Sequence, residues 1–254
     1  MPNLQATHLS DIGSKRKTNQ DFAGVFSEIG LFIVSDGMGG HQGGETASRM
    51  SVELVADYIK SHTPELDSDP KTLLSTAIKE ANKAIYKSAL DNPFLKGMGT
   101  TTTCLLINKN KAYIGQVGDS RCYFLKDSGF WQLTRDHSLV QEKLRAHIIT
   151  REQAKTDKMK NVITRSVGFE PDVKPEIFEK EISAGDLYLL CSDGLSSLVE
   201  DPETHTILSD LIINRKDASN LEHLKEAVDI LIKTANTNGG DDNITALIVE
   251  VKSL

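Results

Sequence analysis

The stretch from Leu31 to Gly44, LFIVSDGMGGHQGG, constrains the fold more than any other part of the chain. Its first four residues are apolar, too few for a helix and the right length for a buried strand. They run directly into Ser35 and Asp36, and then into five glycines between Gly37 and Gly44. A carboxylate at the end of a buried strand costs on the order of several kcal/mol unless something compensates it. The glycines remove side chains and permit φ > 0, so backbone can come close to a ligand. Asp36 therefore reads either as a ligand-binding carboxylate or as the cap of a turn ahead of a helix near Glu45.

The pattern recurs. CSDGLS at 191–196 echoes VSDGMG at 34–39, and Gly118-Asp119-Ser120 follows the strand-like GQV. Asp241-Asp242-Asn243 stands behind two glycines and ahead of the last apolar run, and Asp21 stands ahead of Phe22. Any one of these aspartates is readable as a turn or cap residue, but all five together are not. If the strand ends converge, mutual repulsion raises several of the pKa values. Hard divalent cations, held by carboxylates, a backbone carbonyl and water, would relieve it. No His or Cys stands at ligand spacing, which argues against zinc.

Periodicity supplies the remaining elements. Strands are expected at Gln5–Ile12 and Phe22–Phe26, followed by a helix at about Glu45–His62 with Ala47, Met50, Leu54, Val55, Tyr58 and Ile59 inward. Asp69-Pro70 caps a second helix that turns Leu74, Ala77, Ile78, Ala81 and Ile85 inward. Strands follow at Thr101–Ile107, Lys111–Val117, Arg121–Leu125 and Phe130–Thr134, joined by Asn108-Lys109-Asn110, Gly118-Asp119-Ser120 and Asp127-Ser128-Gly129 as hairpin turns. Residues 137–168 read as a polar helical insertion over one sheet edge. Strands resume at Val173–Ile182 and Leu187–Cys191. Asp201-Pro202 caps a modest helix, and Ser219 with Glu222 forms a capping box for a long helix with Leu221, Leu224, Val228, Leu231, Ile232 and Ala235 inward. A strand at Ile244–Val251 closes the chain. Helices segregated from meandering strands indicate an α+β fold with mainly antiparallel sheets. The 254 residues, without linkers or low-complexity tracts, read as one domain, 1–254.

Charge and cysteine usage narrow the function. A net charge of −7 without a basic block argues against a nucleic-acid partner. Cys104, Cys122 and Cys191 lie in or beside apolar runs without paired spacing, so three reduced, buried thiols and a cytoplasmic location are expected. The N-terminus has no apolar core, and no run reaches membrane-spanning length, so no membrane partner is expected.

The segments RKTNQD (16–21), VSDGMGGH (34–41), VGDSR (117–121), CSDG (191–194) and GDDNIT (240–245) occur in the order and spacing of the metal-dependent (PPM, type 2C) Ser/Thr protein phosphatases. The chain resembles their compact bacterial members from about Asp11 to Val251. The resemblance implies a four-layer α-β-β-α sandwich: two antiparallel sheets flanked by helix pairs, with metals in a cleft at one edge. It implies that Asp36 bridges two core ions, Mn²⁺ or Mg²⁺, with Gly37 offering its carbonyl. Asp193 and Asp242 then resemble ligands of the first ion, Asp21 the acid that holds the second ion's waters, and Asp119 the ligand of a weaker third. Arg16 matches an arginine that grips phosphate, and His41 a histidine proposed as general acid. An isolated histidine in a glycine-rich loop is as readily a bystander. The implied reaction is hydrolysis of phosphoserine and phosphothreonine in proteins by a hydroxide shared between the two ions. Phosphoproteins and an opposing Ser/Thr kinase are the implied partners, and the chain is expected to be a monomer.

Residues 137–168 correspond to the family's flap, with two departures. His147 stands where a glycine is usual, and Asp157-Lys158 where His-Pro is usual. Gln20 replaces a commoner Glu. Two rival classes are a catalytically silent phosphoprotein-binding module and a metal-dependent nuclease or nucleotidase. The intact aspartates speak against the first. The acidic charge and 6% aromatic content speak against the second.

Overall fold

The strand Leu31–Met38 shows how the layers arise. Leu31 and Ile33 point into one apolar cluster, Phe32 and Val34 into another, and all four are buried. Side chains alternate across a strand, so a strand buried on both faces needs helices on one side and a second sheet on the other. In this computed structural model, residues 2–254 are described apart from His41, Ser128 and 215–219. The elements are β1 (Asn3–Asp11), β2 (Asp21–Phe26), β3 (Leu31–Met38), α1 (Gly43–Ser61), α2 (Thr63–Ser68), α3 (Pro70–Asp91), β4 (Gly99–Thr100), β5 (Thr102–Asn108), β6 (Lys111–Val117), β7 (Arg121–Lys126) and β8 (Gly129–Gln132). They continue with α4 (Leu139–Arg145), α5 (Arg151–Thr156), β9 (Glu176–Glu181), β10 (Leu187–Cys191), α6 (Asp193–Ser196), α7 (Asp201–Leu208), α8 (Leu221–Thr237) and β11 (Ile244–Ser253).

One sheet runs β1-β11-β10-β7-β8 and the other β2-β3-β5-β6-β9, with β4 paired to the end of β3. Between them lie Phe32, Leu105 and Ile114 from one face and Phe124, Tyr188 and Leu247 from the other. Val52, Val55 and Ile59 of α1 and Leu74 and Ile78 of α3 cover the outer face of the second sheet. Leu195, Leu208, Leu224 and Leu231 of α6–α8 cover the outer face of the first. This is the expected α-β-β-α sandwich.

Several local expectations are corrected. Gly118-Asp119-Ser120 does not close a hairpin: β6 and β7 belong to different sheets, so the tripeptide is a crossover between them. The inward face of α1 is turned toward Ser48, Ser51 and Val52, leaving Met50, Leu54 and Tyr58 half-buried. Hydrogen bonds explain the shift, since Ser51 Oγ lies 2.6 Å from Thr102 Oγ1 and Ser48 Oγ donates to Gln20 O at 2.6 Å. The short helix α2 had no periodic signal. Asp69 caps α3 as expected, accepting from Thr72 N, but α7 takes Glu200 as its cap, with Pro202 inside the first turn. For α8 the observed cap is Asn220, which accepts from the N–H groups of Glu222 and His223. Ser219 lies outside the described residues, and Leu221 is exposed rather than inward.

Within 137–168 the two expected helical pieces are α4 and α5, anchored by bridges from Ser138 to Ile163 and from Thr100 to Val167. His147 has φ +54, a left-handed conformation that glycine adopts most easily, so the backbone there is one that glycine would favour. Asp157 joins the two pieces by accepting from Lys143 Nζ and Met159 N, both at 2.8 Å.

Cys104, Cys122 and Cys191 are free and buried, and burial pushes the Cys191 thiol up to about 12. Only the thiolate reacts readily. A thiol reagent at pH 8 should therefore label none of the three within minutes in the native protein, and all three after denaturation. Rapid native labelling would contradict the buried assignment.

Candidate active site

Both sheets contribute acids to one place. Asp21 begins β2, and Asp36 is its direct cross-strand partner on β3, so two like charges stand side by side, an unfavourable pairing. The strand β3 runs on past Asp36 to Met38, so this carboxylate is held within a ladder rather than on a loop. Asp193 opens α6 directly after β10, Asp119 lies on the crossover after β6, and Asp242 immediately precedes Asn243 and β11. The Asp36 and Asp193 carboxyls stand close enough to perturb each other's titration. Asp36 also feels the charge of Asp21 and Asp119, while Asp193 feels that of Asp242. The five expected acids thus do meet.

Crowding and burial set their chemistry. Asp21 is pushed up to about 7, by desolvation first and by Asp193 and Asp242, against the opposing pull of the Thr245 and Ser192 hydroxyls. Desolvation also carries Asp119 to about 7, helped by Asp193 and Asp136 and opposed by Arg121. Asp36 lies well above the ordinary carboxylate range through desolvation and then through Asp21, Asp193 and Asp119. Asp193 is raised by desolvation and by Asp242.

A support set that sequence patterning did not single out holds these acids. Ser192 Oγ and Thr245 Oγ1 each donate to Asp21 Oδ2 at 2.7 Å, and Thr245 in turn pairs with Ser10. Asn243 Nδ2 donates to the carbonyls of Ile12 and Thr18 at 2.9 Å, while its Oδ1 accepts from Gln20 N. That side chain therefore latches the loop carrying Arg16 onto the start of β11. Gln20 acts largely through its backbone, its carbonyl accepting from Gly37 N and Ser48 Oγ. Gly37 tolerates no side chain, because a β-carbon there would collide with the backbone of Gly44. Ser192 and Asn243 sit inside the motifs already noted; Thr101, whose Oγ1 accepts from Asp36 N at 2.8 Å, had no sequence signal.

Arg16 reaches the acids directly, with Nη2 2.6 Å from Asp242 Oδ2 and its side chain half exposed. His41 lies outside the described residues.

Among the described residues, no three acidic, histidine or cysteine side chains already form a ready-made coordination sphere. The acids are turned to one another, to hydroxyls and to Arg16. The donor set nonetheless fits hard divalent cations. It is all oxygen, its members are crowded enough to favour added positive charge, and Asp21 Oδ1 and Asp193 Oδ1 are buried without a hydrogen-bond partner.

Comparison with known proteins agrees with this chemistry. Residues 13–229 match the sequence pattern of the family described as Protein phosphatase 2C. The Serine/threonine phosphatase stp of Listeria welshimeri is 39% identical over 251 residues, 97% of this chain and 96% of that protein. The crystal structure of the Mycobacterium tuberculosis serine/threonine phosphatase PstP/Ppp superposes with a TM-score of 0.87 at 32% identity, covering 98% of this chain and 99% of that one. The PstP catalytic domain in complex with two manganese ions gives 0.84 at 33% identity, covering 97% of each chain.

A carboxyl whose folded-state pKa is raised holds its proton more tightly folded than unfolded. It therefore lowers stability as pH rises from about 4 toward its folded value. Asp36→Asn should accordingly raise the melting temperature of the metal-free protein at pH 7.5 by at least about 3 °C, the equivalent of ~1 kcal/mol at this size. The gain should shrink at pH 5. Thermal unfolding at both pH values checks this, and a loss at pH 7.5 would show that the acids are not in conflict.

Proposed function

The chain belongs to the protein phosphatase 2C family and is a Ser/Thr protein phosphatase, a metal-dependent hydrolase of phosphoserine and phosphothreonine in proteins; from that premise we propose which residues carry the reaction. Asp36 would be shared between two core ions, with Gly37 offering its carbonyl. Asp193 and Asp242 would hold the first ion, Asp21 would order the water around the second, and Asp119 would hold a weaker third. Mn²⁺ and Mg²⁺ both suit an all-oxygen set of this kind. The observation that carries the reading is the meeting of five acids from separate strand ends, two of them with buried, unpartnered oxygens.

When bound, the cations supply Lewis acidity, which lowers the pKa of water and offsets phosphoryl charge. The chain's own residues do the rest. Arg16 offers a guanidinium fork at the edge of the acid cluster, where two parallel hydrogen bonds can grip and orient a phosphate. Its hold on Asp242 keeps it in place until an anion competes for it. Ser192 and Thr245 donate into Asp21 Oδ2, which leaves Oδ1 as the free face of that carboxylate. His41 serves as general acid toward the departing serine or threonine oxygen. None of the three cysteines is needed as a nucleophile, each being buried with its thiol pKa raised.

The same reading treats residues 1–254 as one catalytic domain with a flap at 137–168. Its partners are phosphoproteins and the Ser/Thr kinase that supplies them, and it acts as a cytoplasmic monomer without a nucleic-acid or membrane partner. No helix among the described residues is long and apolar enough to cross a membrane, and the net charge of −7 disfavours a nucleic-acid partner.

Hydrolysis of a phosphothreonine peptide should stop with chelator and return with Mn²⁺ or Mg²⁺, and Asp193→Ala or Asp242→Ala should cost at least about 10²-fold. Full activity in metal-stripped protein would sink the assignment. Arg16→Ala should raise KM more than it lowers kcat, and Arg16→Lys should recover only part, because lysine lacks the fork. An unchanged KM would reduce Arg16 to a surface charge.

Leaving-group chemistry tests His41. His41→Ala should slow peptide hydrolysis by ~10²-fold or more while barely affecting p-nitrophenyl phosphate, whose leaving group departs as a stable anion. Equal losses on both substrates would remove the general-acid role.

A further inference from the structure

Asp119 hangs on a three-residue crossover that belongs to neither sheet. A carboxylate on such a connection is presented reliably only if side chains hold the backbone on either side of it. The first residue of the insertion does this on one side. His137 N donates to Gly118 O at 3.0 Å, and Gly118 N donates back to His137 Nδ1 at 3.1 Å. A backbone N–H can only donate, so Nδ1 must carry the lone pair and Nε2 the proton. Nε2 lies 3.3 Å from Glu176 Oε1 and 3.4 Å from Arg165 Nη1.

On the other side of Asp119, Arg121 forks onto Asp136, with Nε 3.1 Å from both carboxylate oxygens and Nη2 2.7 Å from Oδ2. Arg121 Nη1 also donates to Tyr123 Oη, which reaches Asp201. Asp136 and His137 are 6% and 1% exposed, so neither is available to solvent or to a substrate. Gly118 itself takes φ +103, and a β-carbon there would sit 2.5 Å from Thr101 Cγ2. The turn thus has one shape, and the two grips keep it.

We propose that His137 is a positioning residue for Asp119, tying the first residue of the insertion to the loop that carries this carboxylate. The proposal rests on the reading of Asp119 as ligand of the weaker ion. His137 acts through the Gly118 backbone.

The test is Mn²⁺ titration calorimetry on the full chain, joined to amide hydrogen exchange at Gly118 in the metal-free protein. The variants are Asp119→Ala, His137→Ala, His137→Asn and His137→Gln. Asparagine keeps an acceptor close to the position of Nδ1, alanine removes it, and glutamine carries its acceptor past that position. Asp119→Ala should abolish the weak site and spare the two tight ones. His137→Ala should weaken that site and speed Gly118 exchange, each by about tenfold, the size of one lost hydrogen bond. His137→Asn should restore both to within about threefold, and His137→Gln should not.

A wild-type weak site in His137→Ala, alongside its loss in Asp119→Ala, would overturn the positioning role alone. A weak site that survives Asp119→Ala would overturn the ligand reading and the proposal together. If His137→Ala does not fold, asparagine and glutamine decide the matter: asparagine behaving as wild type with glutamine impaired supports the proposal, and equal behaviour overturns it.

Discussion

Like charges crowded in a desolvated setting are the constraint to which this fold answers. Asp21 and Asp36 face each other across a ladder, and Asp193, Asp119 and Asp242 stand close enough to be felt. A protein without a use for them would lose nothing by replacing them, since each raised pKa is free energy spent against folding. On the function proposed above, their place at separate strand ends serves cations that they would share. The arrangement therefore links a stability cost to a function.

The surroundings limit that cost without removing it. Hydroxyls rather than cations satisfy one edge of Asp21, which steadies the carboxylate and leaves its charge in place. Positive charges among the described residues work from the flanks: Arg16 at the exposed side of Asp242, and Arg121, half-buried beside Asp119 and already committed to Asp136. A lysine or arginine pointed into the centre would quench the cluster and compete with any divalent ion. Positive charge is thus kept near enough to soften repulsion and far enough to leave the oxygens available.

Rigidity comes from the sandwich. Asp36 is set by a strand buried on both faces, and Asp193 and Asp242 flank strands that lie side by side in the other sheet, as the β10–β11 register shows. Asp119 stands on the crossover between the two sheets, and it is there that the insertion reaches back, through His137, to hold the loop. The insertion is joined at its far end as well, where Val167 bridges to Thr100, beside the backbone that bonds Asp36 O.

Much of this was legible in the residues. Apolar runs ending in Ser-Asp-Gly marked both the strands and the acids, because a buried strand needs continuous apolar side chains and a close-packed turn needs glycine. Helix faces were read correctly where hydrophobicity alone governed them, as in α3. They were misread in α1, where Ser48 and Ser51 are buried because they have hydrogen-bond partners on other elements. The hairpin assigned to Gly118-Asp119-Ser120 failed for a related reason, since turn chemistry records how a chain bends and not which sheet its next strand joins. Sequence by itself determined which residues carry charge, which segments are buried and where the backbone turns. Tertiary structure alone decided that Asp21 faces Asp36, that Asn243 latches the Arg16 loop and that His137 grips Gly118. Each of these contacts joins residues whose neighbourhood depends on how two sheets stack, and no local pattern encodes that.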